Sequence, residues 1–163
     1  RALYRAVIEK HPTGNLADDA MWDLSYLEEL TGDTEGTISA IRGIQRRRQG
    51  QNAVLLGSNE HRFYWIGELR IARLLSESLE RPQEAIESYE LFVRDYPDSR
   101  WRDDALYWLG CLRLRLGERA QAERSFEEIR EKHPESRYLG RFEAAINSPR
   151  EGSCVPREFK VTW

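Results

Sequence analysis

At 163 residues and 19.1 kDa, with 40% hydrophobic residues, the chain is long enough to bury one core or to form one short superhelix. Its formal net charge of −3 and isoelectric point near 5.7 exclude a strong electrostatic draw toward nucleic acid, which needs a basic excess to neutralise phosphate. No apolar run approaches the roughly 20 residues that cross a bilayer, so no direct transmembrane segment is expected.

Helical periodicity predicts helices at about residues 2–10, 16–31, 34–48, 60–79, 82–96, 100–116, 119–132 and 137–147. The first of these reads as the second half of a unit whose start is missing. With no signal peptide in view, a mature or trimmed product is expected. Arg46-Arg47-Arg48 closes the third helix, where cations favour the carbonyl end of the dipole; an anionic-ligand patch is the competing reading. Between the third and fourth helices, Gly50, Gln51, Asn52, Gly57, Ser58 and Asn59 surround Ala53-Val54-Leu55-Leu56, an apolar tetrad expected to tuck under its own loop rather than face a partner. Pro82 suits a first helical turn, where its missing N–H is no loss. Leu106, Leu109, Leu112 and Leu116 form one broad apolar stripe that Gly117 ends. Ala122, Phe126 and Ile129 repeat the spacing on the next segment, which Pro134 terminates.

The chain repeats itself. Val7-Ile8-Glu9-Lys10-His11-Pro12 and Ile129-Arg130-Glu131-Lys132-His133-Pro134 are nearly alike, and Phe92-Val93-Arg94-Asp95-Tyr96-Pro97 is a looser copy. Asp18-Asp19-Ala20 follows Pro12 at the distance at which Asp103-Asp104-Ala105 follows Pro97, and Gly32 and Gly117 also correspond. Matches at a fixed spacing in helical sequence are the mark of a solenoid, whose units bury their apolar faces against their neighbours. Each His-Pro or Tyr-Pro is then a corner between units.

These residues resemble the tetratricopeptide repeat, a helix-turn-helix unit of about 34 residues. The resemblance is best in the last unit, where Leu106, Leu109, Gly110, Ala122, Phe126 and Pro134 match its large, small and proline positions. Ala72, Ala85, Tyr89 and Pro97 match in the middle unit. Arg113 departs where a bulky apolar residue is usual, and Thr37 and Gln49 depart where an alanine and the proline are expected. Pro97 and Pro134 lie 37 residues apart, and with Asp95-Tyr96-Pro97-Asp98-Ser99-Arg100 this looks like the tandem repeats of bacterial envelope proteins. Those include the periplasmic coordinator of the Tol-Pal system and the BamD-like lipoproteins of outer-membrane assembly.

The resemblance implies an all-α superhelical solenoid of about three helix-turn-helix repeats over residues 1–148, with an insertion at about 50–60 and an extended tail over 149–163. It implies a non-catalytic scaffold that binds protein partners, envelope or membrane-complex subunits among them, in the periplasm or at the outer membrane. A subunit permanently built into a larger complex is the alternative. By the family's register the concave groove is lined by Asp19, Trp22, Tyr26 and Glu29, by Leu69, Arg73 and Ser76, and by Asp104, Tyr107, Cys111 and Leu114. Aromatic side chains on such a surface would supply contact area as interface hot spots do; packing of Trp22 and Tyr26 into the helical core is the competing reading.

In the tail, Phe159, Val161 and Trp163 alternate with Glu158, Lys160 and Thr162, a period of two that puts three apolar side chains on one side. Such a segment could dock on its own scaffold or add to a partner as a strand. Catalytic and cofactor chemistry is not expected. His11, His61 and His133 lack a second ligand at metal-binding spacing, and no phosphate loop, nucleophile elbow or Cys-x-x-Cys appears. Two cysteines remain, Cys111 and Cys154. A tail folded back along the concave side would let them form a disulfide in an oxidising compartment. Two unrelated thiols, with Cys111 a small buried residue, is the reading the sequence favours, because spacing alone cannot establish a bridge.

Overall fold

A computed structural model describes residues 1–12, 15–49, 61–78, 80–147 and 154, without the side chains of 15, 45–49 and 61–65. Among the described residues the chain forms eight α-helices and no strand: α1 Ala2–Lys10, α2 Asn15–Leu30, α3 Thr34–Gln49, α4 His61–Glu77, α5 Pro82–Asp95, α6 Arg102–Arg115, α7 Arg119–Lys132 and α8 Leu139–Asn147. Every end lies within two residues of the position read from periodicity. The chain divides into two compact units, Arg1–Ala85 and Ile86–Trp163.

The same turn chemistry closes the hairpin in each unit. Gly32 and Gly117 adopt φ of +78° and +81°, a left-handed conformation that costs glycine nothing because it has no Cβ. After α2, Gly32 N–H donates to the Glu29 carbonyl at 3.0 Å and Asp33 N–H to the Glu28 carbonyl at 2.9 Å. After α6, Gly117 N–H donates to Leu114 at 3.1 Å and Glu118 N–H to Arg113 at 2.8 Å. This pair of bonds satisfies carbonyls that the helix end would otherwise leave bare. Asp33 then opens α3, its Oδ1 accepting the Gly36 N–H at 2.8 Å.

In the first unit α1 packs on α2, α2 on α3 and α3 on α4. Ala17, Ala20, Leu24, Ile38, Ile41 and Ile44 are buried, each large aliphatic side chain contributing about 1.5–3 kcal/mol by leaving water. Thr37, standing where the repeat pattern expects alanine, is fully buried. Its hydroxyl bonds the Asp33 carbonyl at 2.9 Å and the Ser25 carbonyl at 3.3 Å, which removes the penalty of burying a bare polar group. Arg1 and Arg5 both reach Glu28, whose side chain is 3% exposed.

In the second unit α6 packs on α7, and α8 lies against both. Leu106, Tyr107, Cys111, Ala122, Phe126, Ile129, Tyr138, Phe142 and Ala145 form one core. The corner before α8 repeats the corner before α6. Ser99 N–H donates to Tyr96 and Arg102 N–H to Ser99, as Ser136 N–H donates to His133 and Leu139 N–H to Ser136. Arg113, the departure from the apolar pattern, is held by the Gln121 carbonyl and Ser125 hydroxyl, both 3.4 Å from Nη1, and by an ion pair with Glu90.

The predicted insertion at 50–60 and the tail residues Phe159, Val161 and Trp163 lie outside the described residues, as do the side chains of Arg46, Arg47 and Arg48. The cysteines correct the reading that sequence favoured: Cys111 and Cys154 are joined in a disulfide, with Cα atoms 5.3 Å apart across a sequence separation of 43. Cys154 packs at the margin of the second core. Sequence distance concealed a proximity that α7 and α8 create by returning the chain to α6.

Candidate partner-binding surface

Two clusters collect the predicted groove residues, one in each unit. On α2, Trp22, Tyr26 and Glu29 follow at four- and three-residue steps, which places them on one face. Meeting them from α4 are Arg70 and Arg73. The Arg70 guanidinium carbon sits 4.8 Å from the Trp22 ring centroid and 4.1 Å from that of Tyr26. The two rings meet edge to face at 5.7 Å. Arg70 Nη1 donates to Ser25 Oγ at 3.0 Å, and Nη2 pairs with Glu29 Oε2 at 2.5 Å. Arg73 takes the other oxygen of Glu29.

This arrangement satisfies a cation that is only 6% exposed. Its charge meets a carboxylate, its flat faces meet aromatic rings, and one of its N–H groups meets a hydroxyl, the mode of binding that a planar guanidinium permits and an ammonium does not. Arg70 was not among the sequence-predicted residues. Two arginines one turn apart on α4, Arg70 and Arg73, in a helix that also carries Leu69, Ile71, Ala72, Leu74 and Leu75, were the available signal.

The arrangement also corrects the groove reading for two residues. Trp22 is 5% exposed and Leu69 9%, so neither offers surface to a partner. The physical reason is Arg70 and the neighbouring helices, which cover the indole that a free groove would present. Tyr26, Glu29 and Arg73 retain partial exposure.

In the second unit the predicted stripe on α6 is covered by the chain itself. Asp104 Oδ1 accepts from the Tyr138 hydroxyl and from Arg137 Nη2, both at 2.6 Å. Asp103 accepts from Ser136 Oγ at 2.7 Å. The Tyr107 ring stacks on Tyr138 with centroids 4.1 Å apart and planes 15° apart. Cys111 carries the bridge to Cys154, and Leu114 packs partly buried against the same core. Tyr107 is fully buried, which removes it too from the open groove. The residue that covers it is Tyr138, in the corner before α8, and that cover depends on a chain reversal that helix periodicity does not describe.

The electrostatics follow from burial. Burial raises the Asp104 carboxyl above the usual aspartate value, against the lowering effect of Tyr138 and Arg137. Burial, reinforced by the hydrogen bond to Asp104, pushes the Tyr138 phenol well above its ordinary value, and burial alone raises Tyr107. Burial would also raise Glu128, but its bonds to Lys132 and Arg102 outweigh it and hold this carboxyl below the usual range. These are the marks of interlocking helices. Among the described residues there is no group of His, Cys, Asp and Glu that could hold a metal ion, and no helix is long and apolar enough to cross a membrane.

Residues 67–99 and 104–136 each match the tetratricopeptide repeat family. The second match covers α6, its glycine turn, α7 and the corner through Ser136, which is the unit whose core and turn are described above. No curated protein and no solved structure matches the chain. Turn, corner and family match agree: among the described residues the chain is an all-α helical-repeat protein, and two of its segments are similar to tetratricopeptide repeats, units that generally mediate protein–protein interaction.

Proposed function

We propose that the chain is a non-catalytic scaffold of a bacterial cell-envelope assembly, working in the periplasm or at the outer membrane. The observation that carries the scaffold reading is the pair of segments that match the tetratricopeptide repeat, units that generally mediate protein–protein contact. Arg70, Arg73 and Glu29 satisfy one another around two aromatic rings and leave the rim of Tyr26, Glu29 and Arg73 partly open. An aromatic edge beside an ion pair is the composition of an interface hot spot. The compartment is supported by the Cys111–Cys154 bond, since intrachain disulfides persist in oxidising surroundings and are rare in the cytosol.

The test is co-purification from the native source with the wild-type chain and with a Tyr26→Ala, Arg73→Ala double variant. Loss of a partner from the variant supports the reading; retention of every partner overturns it. One observation favours the alternative of a permanently integrated subunit: Leu3 and Leu30 are each 82% exposed and Leu16 is 55% exposed, apolar side chains that a neighbouring subunit would cover. A chain built into a complex would aggregate when purified alone, whereas a free scaffold would run as a soluble species in size-exclusion chromatography.

A further inference from the structure

The helix α8 is nine residues long and buries only Phe142 and Ala145 among its own side chains. A helix that short is not stable by itself and depends on what fastens it. At its start the fastening is dense: Tyr138 stacks on Tyr107 and bonds Asp104, Arg137 bonds Asp104, and Ser136 bonds Asp103. Near its end, among the described residues, Arg119 Nη1 donates to the Ile146 carbonyl at 3.2 Å. Beyond that end comes the bond from Cys154 to Cys111.

The two sulfurs stand in different surroundings. Cys111 is 2% exposed within the aromatic core, whereas Cys154 lies at its margin, partly open to water. We infer that the Cys111–Cys154 disulfide is a redox latch on the C-terminal cap, holding the end of α8 against the second core and releasing it on reduction. Attack comes at the accessible sulfur. A thiolate of a dithiol reductant bonds to Cys154 Sγ, the S–S bond breaks, and Cys111 leaves with the electron pair and takes a proton. The second thiol of the reductant then displaces Cys154 as a thiol, and the reductant ends as a cyclic disulfide. Two electrons and two protons have passed to the protein.

Release is graded. The Asp104 and Tyr107 contacts still hold residues 136–138 after reduction, so α8 loosens from its far end toward its start. The inference needs no partner and stands or falls apart from the scaffold reading.

The experiment is amide hydrogen exchange on the full chain, oxidised, reduced with dithiothreitol without denaturant, and as Cys154→Ser. Alkylation and intact mass count the thiols. In both unbridged forms, amides of residues 143–147 exchange at least about tenfold faster, the mark of local opening. Residues 138–142, α6 and the whole of Arg1–Ala85 keep their protection. Three results overturn the latch: a bond that yields to dithiol only after the chain is unfolded, exchange over 143–147 that is the same with and without the bond, or protection lost across both units together. Because reduction is performed on the folded protein, the conclusion does not depend on whether Cys154→Ser folds.

Discussion

Replacing Gly110 by alanine sets two effects of opposite sign against each other. Alanine in place of glycine inside a helix gains about 1 kcal/mol, chiefly by restricting the unfolded chain. At Gly110, however, a Cβ would stand 2.5 Å from Phe126 Cε1, 2.7 Å from Cζ and 3.1 Å from Cδ1. Phe126 is 1% exposed, stacks on Phe142 at 5.7 Å and lies 6.0 Å from the Tyr107 ring, so its ring has nowhere to turn. Forcing a methyl group into a packed core costs about 1–3 kcal/mol. The clash is with a locked aromatic ring rather than a flexible chain end, which places the cost at the upper end. The net expectation is a loss of about 1–2 kcal/mol from the second unit. Gly140, also helical, is the control: a Cβ there meets nothing within 4 Å, and Gly140→Ala should raise stability by up to about 1 kcal/mol. Urea unfolding of both variants, followed by circular dichroism and tryptophan fluorescence, gives the comparison. A Gly110→Ala chain as stable as wild type would refute the claim that α6 and α7 approach through this glycine.

Arg70→Met removes the guanidinium between Trp22 and Tyr26 and leaves Glu29 with Arg73 alone; because Glu29 is part-exposed, the expected loss is about 2–3 kcal/mol, below the full cost of stranding a buried charge. Arg70→Lys should recover less than half of it in the same urea assay, since an ammonium cannot stack on both rings while bonding Ser25 and Glu29. Tyr138→Phe removes a hydroxyl bonded to Asp104 and should cost the second unit about 1–3 kcal/mol in thermal unfolding. Both Tyr107 and Tyr138 are raised above the ordinary phenol value, so the folded chain keeps protons that the unfolded chain gives up. The stability this contributes is complete below about pH 10 and is lost as pH rises beyond it. Ultraviolet titration should therefore show these two phenols ionising only with alkaline unfolding, and Tyr138→Phe should shift that unfolding; ionisation of all tyrosines near pH 10 without unfolding would contradict the burial.

Local sequence carries what local physics decides. Gly32 and Gly117 end their helices because only glycine takes the left-handed turn without cost, and a reader of the chain can place both. The prolines after His133 and Tyr96 mark corners for an equally local reason, the clash of the proline ring with a continuing helix. Gly110 and Phe126 were legible as small and large positions of a known repeat. The failures are all long-range. Trp22, Leu69 and Tyr107 sat in the right register, yet whether a residue in that register meets solvent depends on what lies across from it. Arg70 covers Trp22 from 48 residues away in sequence, and Tyr138 covers Tyr107 from 31.

The opening numbers, a modest size and a slightly acidic balance, excluded more than they named. Repetition, helix limits and turn glycines were determined by the sequence alone, because each depends on residues within about one helical turn or one repeat of each other. Tertiary structure alone decided which side of each helix stays open and which cysteines meet. Side-chain exposure and disulfide pairing depend on how the chain returns upon itself, and the sequence separation of 43 between Cys111 and Cys154 takes in the two helices that make that return.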